Sequence, residues 1–233
     1  MKPVHKGAAP KRYSSYGDAK PDLIERLGPH CSYCEAYGAP TSLDVEHIYP
    51  QKAHRRRENR WDNFLIACKS CNSKKNSHLG SGRQRALDQR YLWPHIDNTA
   101  RAFRYFSDGR VSPEPSLPPP LQQLAIKTME MVGFMSNPAN AKPYTQRSIA
   151  YTGVSIREEI WREVASVRSD YLTNPQPARA RSLAAIAVRL GYFSIWMEVF
   201  HDRPEFRGEL IAAFKADSRC FDQNTRALPK GRV

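Results

Sequence analysis

Long apolar runs are missing from this 233-residue chain. No stretch approaches the roughly 20 residues that a membrane-crossing helix needs. The opening residues, MKPVHKGAAPKRYSSYGDAK, lack the apolar centre of a secretory signal. The expectation is a soluble protein of the cytoplasm, where disulfides are rare. Cysteine is scarce, and four of the five cysteines fall in two Cys-x-x-Cys pairs, which in a reducing compartment argues for a metal. Cys220 stands apart and is expected to be a small apolar residue or a free thiol. Acidic residues are outnumbered, 23 against 36 Lys and Arg, leaving a net charge of +13. Such a balance favours a polyanionic partner, because basic surface releases counterions from phosphates. No helix-turn-helix or other sequence-reading module is evident, so any target specificity would have to come from a partner. Apolar residues make up 40% of the chain, enough for a packed core and against wholesale disorder.

The informative stretch is CSYCEAYGAPTSLDVEHIYPQKAHRRRENRWDNFLIACKSCNSKKN, residues 31–76. Each Cys-x-x-Cys turn converges two sulfurs, and Cys31, Cys34, Cys68 and Cys71 together make a tetrahedral four-thiolate zinc site. His30 is expected to be a bystander to it. The gap between the pairs is too long for a minimal zinc ribbon, so something folded is inserted. Within it, TSLDVEHIYP alternates as a short strand that Pro50 ends. QKAHRRRENR is a basic loop too polar to bury. WDNFLIAC is a second strand with Trp61, Phe64 and Ile66 as packing residues, and KSCNSKKNSHLG starts a helix that Gly80 stops. A closed four-thiolate site has no open position for water, so any chemistry must lie elsewhere.

The ordered pattern Cys-x-x-Cys, Asp-x-Glu-His-Ile-x-Pro, Trp-x-Asn, Cys-x-x-Cys-Asn resembles the HNH (ββα-metal) endonucleases over about residues 28–80. The resemblance implies that His47 is the general base activating a water and that Glu46 holds a catalytic divalent cation. It makes Asn72 a second ligand and Asn63 the brace of the loop between the strands. Relatives often carry histidine at the position of Asn72 and aspartate at that of Glu46. The chemistry is consistent: a neutral imidazole takes a proton near pH 7, and carboxylate and amide oxygens suit Mg²⁺ or Mn²⁺. Adjacent strand residues point to opposite faces, so Glu46 and His47 converge only if the strand end bends. Arg55, Arg56, Arg57, Lys74 and Lys75 flank the site as candidate phosphate contacts; His54 is expected to be neither catalytic nor a phosphate contact.

Around this module, residues 1–17 read as a loose basic arm. Asp18 is the expected cap of a short helix reaching Leu27. ARAFRYFSDGRV reads as a hairpin, and SPEPSLPPP as a proline-rich boundary. The remainder is helical. Leu121, Leu124, Thr128, Met131 and Met135 keep one stripe, Ser155 and Glu158 form a capping box, and Ile186, Leu190, Phe193, Met197 and Phe200 step at helical intervals. Asp202 and Pro204 open a last helix. Phe193, Trp196 and Phe200 are either core or a partner-binding face, and the tail RALPKGRV reads as loose. The expected fold is α+β: an arm and short helix (1–27), a zinc-stapled ββα module (28–82), a linker helix and hairpin (83–115), and a helical domain suited to partner docking (116–233).

The organisation is also similar to the HNH component of Septu-type bacterial anti-phage systems and their retron-associated relatives. That resemblance implies an ATPase partner of the SMC/ABC kind; the expected function is metal-dependent cleavage of nucleic acid, with DNA as the expected substrate. Two alternatives stand beside it. One is a non-catalytic zinc module binding nucleic acid or protein. The other is an RNase, including one cutting tRNA, since the same chemistry cleaves either polymer.

Overall fold

The computed structural model of the protein describes residues 1–80, 82, 85–134 and 153–233. Its cysteine-rich stretch folds as a hairpin followed by a helix, the α+β arrangement read from the pattern. Strands β1 (Leu43–His47) and β2 (Phe64–Cys68) pair antiparallel, with Leu43 opposite Cys68 and His47 opposite Phe64. Leu43, Val45, Phe64 and Ile66 are buried, as residues that suit a half-covered pleated surface should be. Helix α2 (Lys69–Leu79) follows β2 without a loop. Its N-cap is Cys68, whose sulfur accepts from Cys71 N at 3.5 Å. Asn72 therefore sits inside the helix and does not cap it. Gly80 ends α2 at φ +67°, a backbone conformation closed to most other residues.

Helix α1 (Lys20–Leu27) ends at Gly28 as expected. It is entered through a 3₁₀ turn at Tyr16–Ala19, so Asp18 lies within that turn and the N-cap position falls to Ala19. After the short α3 (Leu87–Arg90), β3 (Phe103–Tyr105) and β4 (Val111–Pro113) form the second hairpin. Phe103 and Tyr105 are buried, so packing against the helices, and not base stacking, is their role.

Helix α4 (Pro119–Val132) begins within the proline run and packs on α2. Met135, placed on its stripe by the sequence, lies outside the described residues. Helix α5 (Gly153–Thr173) already includes Ser155, so the Ser155–Glu158 pair falls inside the helix and does not open it. The stripe from Ile186 to Phe200 is split between α6 (Pro177–Leu190) and α7 (Phe193–Val199), because Gly191 at φ +81° and Tyr192 at φ +57° turn the chain. Ile186 is left exposed. Helix α8 (Pro204–Ala213) has Pro204 at its start. Phe193, Trp196 and Phe200 are core. Phe200 and Phe206 stack with centroids 3.8 Å apart, and Tyr171 meets both edge-on. Among the described residues no helix is long and apolar enough to cross a membrane.

Both ends of the chain depart from the expected looseness. Lys2 and Lys6 are buried, with their ammonium groups on backbone carbonyls. Lys2 donates to Leu27 O at the end of α1 and to Phe214 O just past the end of α8, and Lys6 to Trp61, Asp62 and Phe64 O. Cations at helix C-termini satisfy carbonyls that the helix leaves open. At the other end, Arg232 pairs with the buried Asp97, and Asn98 donates to the carbonyls of Cys220 and Leu228. Charged side chains aimed at backbone are not visible in composition, and they order both segments.

The first cysteine turn is also clasped to the helical half. Glu35, at φ +67°, accepts from Ser194 N at 2.9 Å and Ser194 Oγ at 2.6 Å, while its carbonyl accepts from Tyr192 N. Ala36 bridges to Gly191, where an added Cβ would meet Glu35 O and Tyr37 N at 2.7 Å. Only glycine permits that approach.

Candidate active site and metal centre

The four paired cysteines converge. Their sulfurs all lie within 4.8 Å of one another, and Cys34 Sγ is 3.8 Å from Cys68 Sγ. Zinc–sulfur bonds of about 2.3 Å in a tetrahedron put sulfurs about 3.8 Å apart, so the donor set fits zinc in chemistry and size. Hydrogen bonding with the neighbouring thiols, Cys31 first, and burial drive the Cys34 thiol well above its ordinary pKa. A divalent cation relieves that crowding by binding the thiolates. His30 stays outside the cluster, its Nε2 against Val188 O at 2.8 Å.

A separate cleft of about 830 Å³ opens between β1, α2 and the turn ahead of α1. Asp44, Glu46, His47 and Asn72 border it together with Tyr16 and Lys20. The chain bends at Ile48 and Tyr49, just beyond β1, while Glu46 and His47 keep regular pairing opposite Leu65 and Phe64. Ile48 N bonds to Asn63 O, and Tyr49 N donates to the Asn63 side-chain oxygen at 2.8 Å. The Asn63 amide nitrogen donates in turn to Tyr49 O and Arg57 O, both at 3.1 Å. One buried side chain thus spans both limbs of the loop between the strands.

His47 is held on several sides. Its ring meets Phe64 edge-on at 5.3 Å and Tyr16 at 4.9 Å, and Nε2 lies 2.8 Å from Glu58 O. A carbonyl only accepts, so Nε2 carries the hydrogen and Nδ1 is left as the ring's acceptor. Burial lowers the His47 pKa, opposed by the Glu58 carbonyl and the Glu46 charge, so the ring is neutral at neutral pH.

Glu46 is less open than its assigned part implies. Its Oε1 accepts from Tyr33 OH at 2.9 Å and meets Lys75 Nζ at 2.5 Å, and both lysine and carboxylate are buried. Burial keeps the Tyr33 hydroxyl protonated as a donor. Lys75 also donates to His47 O. This corrects one expectation: Lys75 faces inward and does not contact phosphate. Lys74, Arg55 and Arg56 are exposed, and the guanidinium of Arg57 lies 4.2 Å over the Tyr49 ring. Asn72 Oδ1 accepts from Asn76 Nδ2 at 2.9 Å, one turn along the same face of α2.

The sequence offered no handle on Tyr16, Lys20, Tyr33 or Glu58. Three contribute a ring, a cation or a hydroxyl with no motif spacing, and Glu58 contributes only backbone.

Residues 31–78 match the family model described as HNH endonuclease. The chain thus carries an HNH endonuclease domain, holding both cysteine pairs and His47. A relative among characterised proteins is the Septu protein PtuB of Bacillus thuringiensis, 36% identical over 58 residues. That alignment covers 24% of this chain and 23% of the relative, so the likeness spans about a quarter of each.

Proposed function

We propose that the cleft is the active site of a metal-dependent endonuclease hydrolysing phosphodiester bonds of nucleic acid, with DNA as the substrate. The observation that carries this reading is the placement of His47. Its neutral ring has Nε2 committed to a carbonyl and Nδ1 available as a base, and it borders one cleft with Glu46 and Asn72.

In this reading Nδ1 takes a proton from the water that attacks phosphorus. The new P–O bond forms as the bond to the leaving oxygen breaks. Mg²⁺ or Mn²⁺, for which Glu46 and Asn72 supply oxygen donors, would polarise the phosphoryl oxygens and offset the charge on the leaving one. Asn63 keeps the inter-strand loop, and with it the Glu58 carbonyl, in place behind the imidazole. Arg55, Arg56 and Lys74 hold flanking phosphates; Arg57 does so once it leaves the Tyr49 ring. The zinc clasp fixes β2 against α2 and takes no part in the reaction.

The test is incubation of the zinc-loaded protein with DNA and with RNA in Mg²⁺, in Mn²⁺ and without either. His47→Ala should abolish cleavage while zinc content and melting temperature stay put. Cleavage undiminished in His47→Ala would overturn His47 as the base, and no cleavage by the native protein under any of these conditions would leave a zinc-stapled binding module.

The likeness to a Septu protein supports a wider reading, in which this chain is the effector of a bacterial anti-phage defence complex controlled by an SMC/ABC-type ATPase. Co-purification with such an ATPase, and phage protection that needs both chains and His47, is the expected result.

A further inference from the structure

The charged residue least accounted for by the proposed chemistry is Lys75. It lies one helical turn after the metal-binding Cys71, on the same buried face of α2, so the thiolate clasp sets the register that delivers it. Its side chain is 0% exposed, and its neighbour Lys74 lies in solvent. The ammonium reaches the Glu46 carboxylate and the His47 carbonyl, which are consecutive residues at the end of β1. Tyr33 OH completes the surroundings of the same carboxylate oxygen.

Two buried charges survive desolvation only when each keeps its partner. The Glu46 carboxylate therefore has a resident counter-cation. A divalent ion drawn to the same carboxylate meets an ammonium already there, and two cations on one oxygen repel at short range.

We propose that Lys75 is a positioning residue that competes with the catalytic divalent ion for Glu46. In the ion-free protein it holds the carboxylate and the His47 backbone against α2, and ion binding loosens that grip. This rests on the reading of Glu46 as a ligand, but it concerns binding and does not depend on turnover.

The test is Mn²⁺ binding followed by electron paramagnetic resonance, with zinc kept saturating so that the thiolate site stays filled. Lys75→Met, which is one atom shorter and removes the charge, should bind Mn²⁺ at least tenfold more tightly than the native protein. Lys75→Arg, which keeps the charge, should bind like the native protein. Adding Glu46→Gln to Lys75→Met should erase the gain. Because Lys75→Met strands a buried carboxylate, it is also melted with and without Mn²⁺. The ion should restore most of the lost melting temperature, and not when Glu46→Gln is present.

Mn²⁺ affinity unchanged or weakened in Lys75→Met, with no recovery of melting temperature, overturns the proposal. If that happens while the native protein still cleaves, the nuclease reading survives and the role of Lys75 alone falls. If the affinity gain appears in a protein that cleaves nothing, Lys75 keeps its role and the hydrolase reading falls.

Discussion

The carbonyl of Glu58 accepts from His47 Nε2 at 2.8 Å, and it comes from the basic loop, eleven residues along the chain. The loop that brings arginines to the site therefore also sets which nitrogen of the imidazole is the base. Loop geometry and base strength are one property here, and the expected behaviour of several variants follows from it.

The acidic limb of the pH–rate profile should lie below the ordinary histidine range. The His47 pKa is lowered chiefly by burial, so the ring stays neutral as the pH falls through 6.5 and is protonated only beneath it. Activity is thus full at neutral pH and lost on acidification through the lowered value. Single-turnover cleavage across pH 4–8 measures this; a limb at or above 6.5 contradicts it.

Tyr16→Ala removes the ring that covers one edge of His47. Opening that edge to water weakens the desolvation, so the acidic limb should move up toward the ordinary histidine range. The rate at neutral pH should fall by roughly tenfold, well short of the roughly 10²–10⁴-fold ascribed to general acid–base catalysis as a whole, because the base itself is kept. Tyr16→Phe, which keeps the ring, should behave as the native protein.

Asn63→Ala deletes three hydrogen bonds that tie the inter-strand loop together. At about 1 kcal/mol each, the loss is about 3 kcal/mol of stability. Urea unfolding should show it, and cleavage should drop even at temperatures where the variant stays folded, because the Glu58 carbonyl loses its fixed place.

Cys68→Ser removes one zinc ligand and leaves α2 capped, since a serine hydroxyl can take the N-cap bond that the sulfur accepts. Structural zinc supplies folding free energy on the order of 10 kcal/mol in small zinc domains. The variant should purify without stoichiometric zinc and lose its cooperative melting transition. A strong chelator should do the same to the native protein.

Replacing Arg55 and Arg56 by Ala should weaken nucleic-acid binding about equally for all sequences. The slope of log affinity against log salt should flatten by about 0.9 for each duplex phosphate that is no longer neutralised. Lys75→Ala should not flatten that slope, since its ammonium is buried on Glu46.

Much of the ββα module was legible because its signals are local. Cysteine spacing, the alternation of Leu43, Val45 and His47, and the stop at Gly80 each depend on a few neighbouring residues, and the structure repeats them nearly in register. What was hidden depends on distant groups. Nothing near Lys75 in the chain distinguishes it from Lys74; only the α2 register, fixed by Cys71, turns one inward and leaves the other in water. Lys2 and Lys6 look like part of a solvated basic arm until the carbonyls they reach, up to 212 residues away, are in place. The stripe from Ile186 to Phe200 kept helical spacing across a break because Gly191 must pass close to the first cysteine turn. Periodicity cannot register that approach.

The clasp between Glu35 and Ser194 bears on how the protein can be dissected. The turn that carries Cys31 and Cys34 is shaped from outside, by a serine 159 residues along the chain from Glu35. A fragment trimmed to the stretch that matches the family would lose the group that steadies its own first knuckle. Limited proteolysis of the intact chain should therefore release no small zinc-holding core, and disturbing α7 should make the cysteines easier to alkylate, although α7 contributes no sulfur.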